Sequence, residues 1–480
     1  MRIPFILFVV LFLASCSGRR QQADCRGILQ QMQLNLDSGN ISTVKLLADS
    51  LNKICHGPGR EAQLADSLAA IAERLPRDFS LSEEEAMKQL AEKTGGFTPE
   101  ERRNWESMNW LEYRMINGKK MYFNRTVSNL KLLQNFYFHR ASADSLAAQQ
   151  PEKVYRRANT DSIVTAAAVQ NEPAVPEKLL IDYTITVNSD VVPEGDTIRC
   201  WLPYPKENNT RQRDVKFISA SDPGYIISPD SAIHRTIYME GVARKGLTTI
   251  FRVSFSYQTS GRYFNPDAMK ILPYDKSSEV YRKYTSQQLP QICFTDNVKH
   301  LADSITAGEV RPFEVVRKIY NWFNDNIPWA SALEYSIIPN IPEYVIRNRR
   351  GDCGMQTFLF MSMLRYKGIP VKWQSGWKVP PYGKSLHDWC EVWFEGPGWV
   401  PADISYGLQY SGDPKIRDFF ISGIDSYRLI INDGVSGELI PAKKFIRSEP
   451  FDFQRGEVEW KGGNLYFDKW DYEMKIRYLK

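Results

Sequence analysis

Cys353, His387 and Asp403 are a thiol, an imidazole and a carboxylate in chain order, the set that nucleophilic acyl chemistry uses. The stretch NRRGDCGMQTFLF (348–360) puts the cysteine where a loop turns into a helix. Residues from Cys353 to Tyr366 suit a helix, and Gly368 supplies its stop. A thiol in a first helical turn meets free N–H groups and the positive end of the helix dipole, and both favour an anion. Arg347, Arg349 and Arg350 lie just upstream, so the expectation is a lowered thiol pKa.

A thiolate nucleophile needs a base, and the chain has five histidines. Of these, His387 alone falls in a strand downstream of the thiol, within SLHDWCEVWFEGPGWVPADISYG. Alternation sends His387, Trp389, Glu391 and Trp393 to one face, and Asp388, Cys390, Val392 and Phe394 to the other. Cys390 therefore points away from His387, which leaves Cys353 as the nucleophile. EGPGW reads as a tight turn that brings Asp403 back near His387, opposite it or a few residues off. Each residue has an ordinary use: a packed helix-start cysteine, a satisfied half-buried histidine, a turn aspartate. The three together, in this order of elements, are much less common by chance.

These elements resemble a known family. RRGDCGMQTFLFMSMLRYKGIPVKWQSGW, HDWCEVWF and GWVPADISYG are similar to the cysteine helix, histidine strand and aspartate strand of the transglutaminase-like superfamily of papain-fold cysteine enzymes. The resemblance covers about 311–410 and implies Cys353 as nucleophile, His387 as base and Asp403 as orienting acid. It also implies an aromatic residue before the cysteine in the oxyanion-stabilising site. Trp329 is the candidate there through its indole N–H, although a core or rim tryptophan is the plainer reading. One departure is Asp388, where the family usually has a small residue, so a charge is expected to perturb the base. RCWLPYP and FFISGIDSYRLIIN also look like the β modules that flank this core in bacterial relatives.

The expected fold class is α+β and multidomain. An N-terminal all-α region at 21–150 rests on apolar residues spaced three or four apart, as in MNWLEYRMINGKKM, with a capping-box start at Thr98 and Glu101. Residues 151–177 read as a linker that has room for one helical turn. A β-sandwich is expected at 178–262 from alternating β-branched and aromatic runs with turns roughly every ten residues. The papain-like core, a cysteine-bearing helix packed on an antiparallel sheet, is expected at 263–410, and a C-terminal β extension at 411–480.

MRIPFILFVVLFLASCSGRR opens the chain with one arginine and an apolar stretch from Ile3 to Leu13, the pattern of an export signal (1–16). As a helix that stretch spans about 16 Å, short of a bilayer core of about 30 Å. Its end, Leu13 to Cys16, resembles the lipobox of bacterial lipoproteins, which implies a lipid on Cys16 and a tether to a bacterial membrane at the periplasm or cell surface. Among seven cysteines there is no CxxC pair and no metal-ligand spacing; Cys25 and Cys55 flank a helical stretch and could pair. No calcium loop or phosphate-binding glycine motif is present, so no cofactor and no metal are expected. A net charge of +5 with interspersed signs gives no support to nucleic-acid binding. The expected activity is hydrolysis of peptide or protein substrates at the cell envelope. Protein-glutamine transamidation and a non-catalytic envelope scaffold remain as alternatives, the latter docking a protein partner through the helical N-terminal domain.

Overall fold

The computed structural model describes residues 25–54, 60–169 and 172–479, so Cys16 and Cys55 lie outside it. Two compact units are present, Met1–Lys131 and Leu132–Lys480.

In the first unit helices run over 25–37, Ile41–Ile54, Arg60–Asp78, Glu83–Thr94 and Pro99–Ser107. The Thr98 side chain accepts from Glu101 N, and the Glu101 carboxylate accepts the Thr98 N–H, closing the expected capping box. Cys25 is disulfide-bonded. The all-α expectation fails at one place: Tyr113–Ile116 and Lys119–Tyr122 form a hairpin, and Leu81–Ser82 adds a third strand. The cause is Asn117-Gly118, with φ of 47° and 80°. An Asn-Gly pair takes positive φ at both positions, and the resulting turn matches strand twist. That local preference outweighs the helix-like spacing of the neighbouring apolar residues.

In the second unit the residues read as a linker begin with a 19-residue helix, Pro151–Val169. Pro151 is tolerated in a first turn, where its missing N–H has no partner to lose. Ile163 is fully buried, and its Cδ1 would lie 2.2 Å from a Cβ at Gly261, so the helix packs closely on strand Thr249–Tyr263. Strand Ala174–Val187 follows the expected alternation, whereas Thr197–Pro203 and Thr236–Val242 each bury a run of four successive residues, and the C-terminal strands complete the sheets. Trp470–Leu479 pairs with Ala174–Val187, and Glu457–Trp460 pairs with Thr197–Pro203. One buried apolar cluster joins both sheets, from Ile181 and Tyr183 through Cys200 and Met239 to Trp377 and Leu429.

The elements that position the site are helices α1 (Pro312–Asn326) and α2 (Cys353–Tyr366), with strands β1 (Val371–Lys378), β2 (Ser385–Phe394), β3 (Gly398–Ala402) and β4 (Arg428–Asn432). The strands form an antiparallel sheet in the order β3-β2-β1-β4. Every residue of α2 from Gly354 to Arg365 is buried, and Phe358 stacks on Trp373 of β1 at 4.3 Å. Burying such an aromatic contributes about 1.5–3 kcal/mol, which fixes the helix start against the sheet.

Candidate functional site

Asp352 caps α2 by accepting from Met355 N at 3.0 Å, and Tyr335 Oη donates to its Oδ1 at 2.5 Å. Cys353 follows as the first helical residue. Among the described residues Cys200, Cys293, Cys353 and Cys390 are free, and Cys353 is partly buried while the other three are buried. Gly354 next to it admits no side chain: a Cβ would stand 2.2 Å from Tyr335 Oη and 2.6 Å from Asp388 Oδ2. A parallel bridge between Trp329 and Gly351 brings the tryptophan beside the thiol, and both line one cavity. Trp329 is 47% exposed, which places it on the cavity rim rather than in the core.

The β2–β3 register ends at Cys390 opposite Ala402, so Asp403 stands just past the strand end. From there its Oδ2 accepts from His387 Nε2 at 2.7 Å. An ionised carboxylate can only accept, so the neutral ring carries its proton on Nε2 and its lone pair on Nδ1. The same Oδ2 meets Arg428 Nη1 at 2.9 Å, and Oδ1 accepts from Ser405 Oγ at 3.0 Å. Arg428, fully buried on β4, also donates to both Asp425 oxygens at 3.1 and 2.9 Å. Burial raises the Asp403 carboxyl, but His387 and Arg428 overcome it and hold the group at about 2. Burial drives His387 down to about 4 against the opposing pull of Asp403. The pair therefore rests as carboxylate and neutral imidazole at neutral pH.

The thiol differs from expectation. Cys353 Sγ donates to Asp388 Oδ2 at 3.4 Å, and among the described residues no hydrogen bond joins it to His387. Burial, followed by the Asp388 and Asp352 carboxyls, pushes the thiol well above its ordinary 9.0. The upstream arginines do not lower it; the Arg349 guanidinium lies over the Trp322 ring at 5.3 Å. Asp388 thus acts on the thiol and not, as expected, on the base. Gln454 braces this corner by donating from Nε2 to Asp388 Oδ1 at 2.7 Å and to the His387 carbonyl at 2.8 Å.

The structure therefore pairs His387 with Asp403, and sets Cys353 with Trp329 on one cavity. Four neighbours in the candidate site escaped the sequence reading: Asp352, Tyr335, Arg428 and Gln454. Two had signals. Aspartate immediately before a helix is an N-cap, and an arginine inside the apolar run YRLII points to a buried ion pair. Tyr335 and Gln454 carry no local signal.

Residues 299–404 match the transglutaminase-like superfamily, so the chain carries a transglutaminase-like core. Over 180 residues the chain is 24% identical to "Uncharacterized protein YebA" of Bacillus subtilis (strain 168), a stretch that makes up 33% of this chain and 24% of that protein. The chain thus spans about a quarter of that relative's length. Among solved structures, that of a "Putative Cysteine Protease" from Cytophaga hutchinsonii is similar at 15% identity and TM-score 0.43, covering 64% of this chain and 92% of that one. The periplasmic domain of TgpA from Pseudomonas aeruginosa is similar at 14% identity and TM-score 0.24, covering 51% and 91%. Both are too distant in shape to transfer the role of any residue.

Proposed function

With a transglutaminase-like core at 299–404 as premise, we propose that the chain is a cysteine acyl-transfer enzyme that hydrolyses amide bonds of peptide-like substrates. The observation that carries this reading is the buried His387–Asp403 pair at 2.7 Å, which leaves Nδ1 of a neutral imidazole to accept a proton. Cys353 turns from Asp388 toward His387, Nδ1 takes its proton, and Sγ attacks the substrate carbonyl. Asp403 stabilises the imidazolium so formed. The oxyanion takes the Cys353 backbone N–H at the helix start, with the Trp329 indole N–H as second donor. The imidazolium gives its proton to the leaving amine, and an acyl-thioester remains. Water, deprotonated by His387, attacks the thioester and releases acid and thiol. Water far outnumbers free amines, so transamidation requires a site that excludes it.

The test is mass-spectrometric product analysis on peptide and cell-wall peptide substrates, with and without an added primary amine. Hydrolysis products that vanish in Cys353→Ala are expected. Full activity in that variant removes the cysteine mechanism, and a dominant amine adduct moves the assignment to a cross-linking enzyme. Export and lipid attachment at Cys16 complete the proposal, with the sequence pattern as support. Among the described residues no helix is long and apolar enough to cross a membrane. Loss of labelling by a fatty-acid probe in Cys16→Ser is the expected result.

A further inference from the structure

We propose that the cavity beside Cys353 is a specificity pocket for a cationic, lysine-like side chain of the substrate, with Asp452 as its principal acceptor. The inference rests on the acyl-transfer reading and names the substrate class of that site.

The cavity measures about 220 Å³, below the ~300–1,000 Å³ of sites that enclose a whole small ligand, and is of a size to take one side chain. Cys353 and Trp329 line it together with Asp352, Asp388, Glu449 and Asp452. Its one lining cation is already engaged. Arg455 donates to both oxygens of Glu334 at 2.9 and 2.7 Å and to Glu449 Oε1 at 2.5 Å. Asp352 is served by Tyr335 and the helix N–H of Met355, and Asp388 by Gln454 and the thiol. Asp452 differs from all of these. It is 7% exposed and lines the cavity, and among the described residues its carboxyl has only its own backbone N–H as hydrogen-bond donor and the charge of Arg455, which is already paired with Glu334 and Glu449, to attract it. A carboxyl so enclosed is costly to ionise, and an entering cation offsets that cost.

Burial pushes Asp388 and Asp452 well above the ordinary carboxyl range and Asp352 to about 6, as expected where carboxyls outnumber cations. Among the described residues no three potential ligands converge in a metal-binding arrangement, so the proposed ligand is an organic cation. The pocket also favours recognition over aminolysis. Carboxylates stabilise an ammonium group, and an ammonium has no lone pair with which to attack an acyl-enzyme. A cation seated there belongs to the acyl donor, which fits hydrolysis.

The experiment compares N-acetyl-lysine methylamide with its neutral counterpart, N-acetyl-norleucine methylamide. Each is titrated by ligand-observed NMR into the full chain carrying Cys353→Ala, so that no turnover intervenes. The lysine probe should bind at least about tenfold tighter, and Asp452→Asn in the same background should abolish the preference. Equal binding of the two probes overturns the proposal, as does a lysine preference that survives Asp452→Asn in a chain with an unchanged melting curve. The probe comparison on the Cys353→Ala chain decides the matter even if the second variant fails to fold. A preference without any turnover in the wild-type chain would leave the pocket standing and sink the hydrolase reading. Turnover without a preference would do the reverse.

Discussion

In the proposed mechanism, replacing Asp403 by asparagine separates two services of the carboxylate for His387, holding its tautomer and stabilising its positive charge. The geometry says that the first service survives. One oxygen, Oδ2, contacts both His387 Nε2 at 2.7 Å and Arg428 at 2.9 Å. The other, Oδ1, accepts from the Ser405 hydroxyl at 3.0 Å, and a hydroxyl accepts as readily as it donates. An amide therefore fits with its oxygen in place of Oδ2 and its NH₂ toward Ser405. What disappears is the charge. A hydrogen bond to a charged group contributes about 1.5–3 kcal/mol against about 0.5–1.5 for a neutral one, a lower bound of about 1–1.5 kcal/mol, or roughly tenfold. Coulomb attraction between unit charges about 4 Å apart at an effective dielectric of 20 sets an upper bound of about 4 kcal/mol, or roughly a thousandfold. Asp403→Ala loses the tautomer as well, a loss that costs about 10⁴-fold in triads of this logic. Arg428 keeps both bonds to Asp425 in either variant, so the fold persists. The assay is kcat/KM on one peptide substrate for wild type, Asp403→Asn and Asp403→Ala, each checked by circular dichroism. The expected order is wild type, then asparagine down about 10- to 1,000-fold, then alanine. Alanine as active as asparagine, or asparagine as inactive as Cys353→Ala, would refute the reasoning.

The proposed catalysis by a neutral imidazole places the acid limb of kcat/KM near pH 4, because His387 must lose its proton and burial sets its folded pKa at about 4; a limb between 6 and 7 would contradict this. The same depressed pKa means that the unfolded chain binds more protons between about 6.5 and 4, so the stability due to this histidine falls as pH drops through that window, as acid titration of the unfolding midpoint should show. Iodoacetamide should modify Cys353 before Cys200, Cys293 or Cys390 because it is the accessible thiol, yet slowly at neutral pH and faster as pH rises, since its pKa is raised; a fast, pH-independent reaction between pH 6 and 8 would show a preformed thiolate. Gly354→Ala should cut activity more than tenfold and destabilise by about 1–3 kcal/mol, as its methyl must displace Tyr335 Oη and the Asp388 carboxyl; wild-type kinetics in that variant would show that neither group is held.

Much of the site was legible because its signals are local. An apolar run stopped at Gly368 marks α2, a period of two marks β2, and a Gly-Pro-Gly turn returns the chain to Asp403; each is read within a few residues. The hairpin at Asn117-Gly118 has a local signal too, but the apolar spacing around it equally suits a helix. Helix Pro151–Val169 was hidden by its polar surface. Its stability comes from burying Ile163 and Thr160, which becomes visible only once strand Thr249–Tyr263 lies beneath it. Tertiary structure alone decided that strands from the last 25 residues complete the sandwich sheets, because strand partners are chosen by matching faces across hundreds of residues. It alone decided the charge around the thiol. Three arginines adjacent in sequence promised a positive field, but a field at a buried atom is set by whatever lies within a few ångströms. The packing of α2 on the sheet brought Asp388 to Cys353, and put Asp352 there as its cap, while Arg428 and Gln454 arrived from the C-terminal segment to fix Asp403 and Asp388.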